Sequence, residues 1–516
     1  MASPDIYSFN GQDHEFTVRL YNSAHDIRLS NTAWEDLFLE EDIFDWKIKG
    51  SITIKSPQES FERESKEALS VTKTDKEHLV YKFRNDGRDT IFITIKPLLP
   101  PNAPNIIGPL TDKMWRLEIE GVIYDVEDLP NENVTEKFKK LYFHEKTYQM
   151  MTEKDSDFST ATAGANKNKD NLSQLSNEAK SLTPGNALGE LLKSDVDFQK
   201  HSKLVDNPEE WDQGSISSKS FYSAPVGAKF IDDMEYFINY TVASEAYNAQ
   251  PCIFKFERAE KTLTPKQFSL KPIQKYFEKA GSLMPKEYQI EHFFIYEHSM
   301  EDQIVLRKAP LNVADLKTEI KSDEQNSIRG YQLVDLSGQD YAQNLANYRV
   351  TAFNSTKGQF NEEGIKHTVQ AYKDFFNKSI KPFILTQNEE DRLALTPFIK
   401  NNLNTKTVYS LRTDENARLA NGRNRMLKYY LFSNLAISFS VRGSSHRQTG
   451  RFFGLSKQAQ NTKEFDNKLE GQYFVTNVIH HFSNSNRNYT NQLIGVKTHT
   501  YKEFTKFESD DVMIIK

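Results

Sequence analysis

SNLAISFSVRGSSHRQTGRFFGLSK (residues 433–457), followed by GQYFVTNVIHHFSNSNRNYTNQLIGV (471–496), is the stretch whose reading decides the fold. Leu435, Ile437, Phe439 and Val441 alternate with Ala436, Ser438 and Ser440, the period-two pattern of a strand with one buried face. A Gly-bounded strand over 472–482, a polar loop over 483–488 and a returning strand over 489–496 follow. Four short strands with polar turns close into a small antiparallel barrel or paired sheet. No nucleophile, phosphate loop or metal cluster is legible in them. The pattern points to a part in an assembly rather than to chemistry.

Working outward, the chain from about Phe16 to Asp125 also reads mostly as strands. Ile48, Ile52 and Ile54 alternate with polar neighbours after Trp46, with an interruption at Gly50. LVYKF (79–83) and IFITI (91–95) flank NDGRD, a tight hairpin signal. The prolines at 97, 100, 101, 104 and 109 exclude helix and central strand between them, and MWRLEIEGVIYDVED (114–128) reads as a further strand pair. Residues 152–183 are Ser-, Asn- and Lys-rich with few large apolar groups, the composition of a linker. Pro184, capped by Thr183, opens a helix with Leu188, Leu191 and Leu192 on one face. A second helix over about 228–243 carries Phe230, Met234, Phe237 and Ile238, with Asp232 and Asp233 near its positive end. CIFKF and EHFFIYEH read as strands around a helical segment at 272–280. YRVTAFN reads as another strand, and helices are expected at GIKHTVQAYKDFFNK and over 415–431.

The expected fold class is α+β, predominantly β: two small tube-like antiparallel β-domains flank a mixed α/β centre. The divisions are an N-terminal β-domain (1–130), a helical and polar linker (131–183), a mixed central domain (184–310), an ill-defined α+β region (311–432) and a C-terminal barrel-like domain (433–516). At 516 residues the chain has room for several cores. A formal charge of −6 with no long basic run argues against a dedicated grip on nucleic-acid phosphates. The 35 Phe and 23 Tyr suit sheet cores and interfaces alike. One cysteine, Cys252, excludes an internal disulfide and reads as a buried small hydrophobe. The N-terminal sequence lacks the pattern of a signal peptide, and no stretch reaches the roughly 18 apolar residues of a membrane helix. A reducing cytoplasm is the expected folding compartment.

A search for catalytic patterns is mostly negative. Phosphate-loop, dinucleotide, serine-elbow and zinc-helix motifs do not occur. His480 and His481 are adjacent on a strand, so their rings face opposite ways and do not readily share a metal. Asp232–Asp233 is accounted for by the helix end, and the acidic residues at 40–42 by a solvated turn. No catalytic residue, cofactor or metal ligand is assigned. The loop 442–451, with Arg442, His446, Arg447 and Arg451, is the candidate for contact with a partner.

The order of these features resembles the hub proteins of contractile phage tails and related injection machines. The C-terminal likeness lies in Val441 and Gly443, the basic loop, then Leu469, Gly471, Tyr473, Val475, Val478, His480 and Phe482, closed by a hairpin with Tyr489, Thr490 and Leu493. The middle is similar in its Pro-Gly helix start, Trp211-Asp212-Gln213-Gly214, and FYSAP ahead of Asp232, Asp233, Glu235 and Tyr236. LFLEEDIFDWKIKGSITI (37–54) resembles that family's first β-domain. The resemblance implies a non-enzymatic homotrimer that adapts a sixfold tail tube to a threefold central spike. It further implies contact with a tube or tube-initiator protein, the spike and the tape-measure protein, passage of DNA through the lumen and no stable membrane insertion. The setting would be a virion tail baseplate assembled in the host cytoplasm from late proteins. The rival readings are another tail component (tube initiator, wedge or receptor-binding protein) and a phage-borne glycosidase or peptidoglycan hydrolase.

Overall fold

A computed structural model describes residues 5–9, 12–21, 26–29, 33–43, 45, 47–55, 89–98, 117–129, 138–160, 183–194, 202–204, 222–241, 252–257, 266–272, 291–295, 327–328, 331–335, 348–354, 359–363, 393–394, 406–410, 435–445, 447–457, 471–497 and 500–501. The first strands are β1 (Asp5–Phe9), β2 (Gln12–Tyr21), β3 (Asp26–Arg28), β4 (Trp34–Asp42), β5 (Ile48–Lys55), β6 (Thr90–Pro97), β7 (Leu117–Leu129) and β8 (Phe138–Glu145). Alternation fixes their faces. Phe16, Val18 and Leu20 of β2 lie opposite Ile95, Ile93 and Ile91 of β6, and all six are buried. Their neighbours Glu15, Thr17, Thr94 and Lys96 point to the other side of the sheet.

The chain then forms helices α1 (Lys146–Glu153), α2 (Pro184–Ser194) and α3 (Phe230–Tyr240), with β9 (Ser202–Leu204) between α2 and α3. Strands β10 (Cys252–Glu257) and β11 (Lys266–Pro272) join β9 in a small sheet. Next come β12 (Glu291–Ile295), β13 (Ser327–Ile328), β14 (Tyr331–Asp335), β15 (Tyr348–Asn354), β16 (Gln359–Glu363), β17 (Leu393–Ala394) and β18 (Lys406–Ser410). The last strands are β19 (Leu435–Arg442), β20 (Phe452–Lys457), β21 (Gly471–Ser483), β22 (Asn488–Lys497) and β23 (Thr500–Tyr501). The protein is α+β and predominantly β, as its sequence suggests.

The main sheet has 15 strands and runs β1-β2-β6-β7-β8-β5-β4-β21-β20-β12-β13, with β3 paired beside β2 and with β22, β19 and β14 leaving the far edge of β21. Thus the N- and C-terminal strands, read as flanking domains, belong to one hydrogen-bonded sheet. One reading changes, and two strands are added. Residues 117–129 form one long strand, not a pair, because Gly121 is no turn: it lies beneath the Phe143 ring. Strand β8, beyond the expected limit at residue 130, completes the N-terminal sheet between β7 and β5. Residues 266–272 are a strand paired with β10. The hairpin turn at NDGRD (85–89), but for Asp89, and the helices expected at 272–280, but for Pro272, at 364–378 and at 415–431 fall outside the described residues.

Helix α2 begins where Thr183 and Pro184 suggest, with Ala187 N–H donating to Thr183 O at 2.8 Å. Leu188, Leu191 and Leu192 pack with Phe230, Met234, Phe237 and Cys252 in a separate core. Asp233 does more than meet a helix end. It is fully buried, and its two oxygens accept the hydroxyls of Tyr222 and Ser156. These contacts clamp α3 to the segment ahead of it, where Ser156 N–H donates to Ala228 O at 2.8 Å. Asp233→Ala removes the acceptor both hydroxyls share, and chemical denaturation should show a loss of about 2–3 kcal/mol.

Candidate functional site at the junction of the sheet modules

Strand β21 is where the two ends of the chain meet. One edge pairs with β22 along its length. The other edge changes partner midway: residues 471–474 pair with β20 and residues 477–483 with β4. The change falls at a bulge between Val475 and Asn477. Val475 O accepts from Gly450 N–H at 2.9 Å, and Thr476 O accepts from Ile43 N–H at 2.8 Å. A bulge bends and twists its strand, which is how one strand can serve two neighbours on one edge.

Side chains close the seam from both faces. On the inner face Phe482 meets Phe9 at 5.5 Å and Phe16 at 5.7 Å edge-on, and stacks on Tyr489 at 3.9 Å. Phe482 and Tyr489 thereby belong to the N-terminal core although they stand near the C-terminus. On the outer face His481 stacks on Phe38 at 4.1 Å and reaches Asp36 Oδ1 through Nε2 at 3.1 Å. Asn477 Nδ2 donates to Glu40 Oε1 at 2.9 Å, and Asn484 Nδ2 to Trp34 O at 2.9 Å. The acidic strand β4 is therefore a pairing strand, not the solvated turn its composition suggested.

The two histidines diverge as strand geometry requires. His481 is about one-third exposed (35%), and His480 is wholly buried, its Nδ1 2.8 Å from both Tyr489 Oη and Asn491 Nδ2. Among the described residues no group of three or more His, Cys, Asp or Glu is placed to hold a metal. Among them, too, no helix is long and apolar enough to cross a membrane.

The basic loop is more internal than its composition implies. Arg447 is buried (6% exposed); its Nη1 donates to Arg442 O and, at 2.9 Å, to Asn491 Oδ1. Buried Lys255 of β10 donates Nζ to Thr449 O, tying the loop to the central sheet. Gly450 turns the chain with φ of 75°, a left-handed conformation suited to glycine. Arg442 is exposed and Arg451 half-buried, so these two lie nearer solvent; His446 is outside the described residues. Loop 442–451 thus joins three parts of the chain: the C-terminal strands, the seam and β10. Asn491 and Lys255 carry this arrangement, and the sequence offered no signal for them beyond polar residues on apolar strands.

The outer face of the N-terminal strands is a lattice of charges and rings. Burial works against the Lys49 ammonium, but Asp45, Glu40 and Asp42 outweigh it and hold its pKa above the usual lysine value. His144 stacks on Tyr124 at 4.8 Å and lies 2.7 Å from Gln149 Oε1 through Nε2. Burial, the largest effect, pulls its pKa below 6.5, and nearby Lys47 acts in the same direction. Above the ordinary histidine value the ring is neutral folded or unfolded. As pH falls through about 6.5 the unfolded chain takes up a proton that the folded chain resists. Stability should therefore decline from there down to the lowered folded value. A melting series across this window should show a shallower decline in His144→Phe than in the wild type.

No family model matches this chain, and no curated protein matches it. Similar solved structures are those of tail proteins and of a VgrG-containing complex. The tail protein from Neisseria meningitidis MC58 has 8% sequence identity and a TM-score of 0.46, over 93% of this chain and 96% of that one. The 43 kDa tail protein of prophage MuSo2 from Shewanella oneidensis has 6% identity and a TM-score of 0.42, over 93% and 98%. The Francisella PdpA-VgrG complex has 12% identity and a TM-score of 0.40, over 96% and 60%.

Proposed function

We propose that this chain is a non-enzymatic hub subunit of a contractile-tail baseplate, adapting a sixfold tail tube to a threefold central spike and lining the channel. The observation that carries this reading is the β4–β21 pairing. Two antiparallel modules from opposite ends of one chain are built edge to edge as a continuous sheet. Three copies of such a chain supply six modules, and a head-to-tail contact that closes under rotation makes a ring. The sequence resemblance to hub proteins supplies the partners: itself as a homotrimer, the tube or tube-initiator protein, the spike and the tape-measure protein. DNA would cross the lumen during genome ejection without being gripped, in keeping with a mildly acidic chain. The setting is the virion tail, assembled in the host cytoplasm.

The site itself supports a structural role: at the seam Asn477 is bonded to Glu40, Asn484 to the Trp34 carbonyl and His481 to Asp36, contacts that hold two strands together. Light scattering on the purified full chain tests the reading. Three times the 59.7 kDa chain mass supports it. A persistent monomer that degrades peptidoglycan overturns it in favour of a hydrolase.

A further inference from the structure

The polar cluster around His480 has a defined proton arrangement. Asn491 Oδ1 receives the backbone N–H of Ser444 at 2.6 Å and Arg447 Nη1 at 2.9 Å. Both groups can only donate, so they fix the oxygen of this buried amide on their side and its NH2 on the other. That NH2 lies 2.8 Å from His480 Nδ1, which must therefore be the unprotonated ring nitrogen. The ring proton sits on Nε2, facing Glu41 Oε1 at 4.0 Å. His480 thus stands between the loop 442–451, held through Asn491, and strand β4, which presents Glu41.

We propose that His480 is a proton-operated latch at this junction. Neutral, it accepts from Asn491 and anchors the loop through Ser444 and Arg447. Protonated on Nδ1, it sets an N–H against the Asn491 NH2, two donors that cannot bond. The new N–H turns to the Tyr489 oxygen, also at 2.8 Å, and the cationic ring is drawn to Glu41. The groups around the ring act in both directions. Glu41 from β4 favours the proton. Burial and the Arg447 cation from the loop oppose it, as does any charge on His14 of β2, whose ring stands edge-on to Tyr489 at 5.8 Å. His481 faces the opposite side of the sheet with Asp36, and Arg442 lies exposed at the strand end. Acidification therefore exchanges a tie within the C-terminal strands and loop for a tie across the seam. This holds whether or not the protein is a hub.

Hydrogen exchange on the full chain, corrected for intrinsic rates, tests the latch. Between about pH 7.5 and pH 5, protection of the Ser444 amide should fall about tenfold, the scale of one lost hydrogen bond. In Glu41→Gln the fall should need a lower pH, and in His480→Gln it should vanish. Equal protection at both pH values in the wild type overturns the proposal, as does an unchanged midpoint in Glu41→Gln. Imidazole 15N shifts give an independent reading that needs no variant: a neutral ring protonated on Nε2 supports the latch, and one protonated on Nδ1 overturns it.

Discussion

Phe482→Ala should cost the protein about 3–5 kcal/mol and separate the unfolding of its two sheet modules. The side chain is wholly buried, and it belongs by sequence to the C-terminal strands but by contact to the N-terminal core. Truncation removes the rings' shared contact with Phe9, Phe16 and Tyr489 while leaving the β4–β21 backbone pairing in place. Calorimetry should show the wild-type sheet melting as one unit and the variant giving a second, earlier transition. Ile479→Ala on the outer face of the same strand is the control. Its side chain is only half-buried, so a much smaller loss without splitting is expected.

Phe143→Ala should be comparably damaging, again about 3–5 kcal/mol, for a reason particular to its neighbours. The ring is fully buried and spans two glycines on flanking strands, Gly50 of β5 and Gly121 of β7. A Cβ at Gly50 would run into the ring and come within 2.8 Å of the Phe38 carbonyl oxygen, and one at Gly121 within 2.8 Å of the ring. Gly50→Ala in the wild type is therefore an overpacking change costing about 1–3 kcal/mol. With Phe143→Ala already present, the new methyl no longer meets the ring, and only its approach to the Phe38 carbonyl oxygen remains. The two losses should then sum to more than the double variant shows, by about 0.5–3 kcal/mol in a double-mutant cycle. Simple additivity would mean that the ring does not set the glycine requirement.

Much of this architecture is legible locally. The alternation of Ile437, Phe439 and Val441, the strand–turn–strand over 471–496 and the helix start at Thr183-Pro184 each rest on contacts within a few residues, and the structure reproduces them. Gly121 misled because glycine marks turns and also makes room for an aromatic ring on the next strand; only the identity of that neighbour, Phe143, separates the two. The seam was illegible for a deeper reason. Strands β4 and β21 lie more than four hundred residues apart, and WEDLFLEED gives no sign that its acidic face will meet Asn477 and His481. The basic loop shows the same limit. Three arginines and a histidine in ten residues read as a surface, but Asn491 draws Arg447 inside, and a strand polar residue does not announce such a partner. Composition records how many charges a loop carries and not which of them the fold turns inward.

In the hub assembly one chain would contribute two modules to a ring. Class averages of the purified full-length protein, by negative-stain or cryogenic electron microscopy, test it most directly. End-on views should show six lobes around an open lumen, arranged with threefold symmetry. Single compact particles, or rings with an unequal number of lobes per chain, would contradict it.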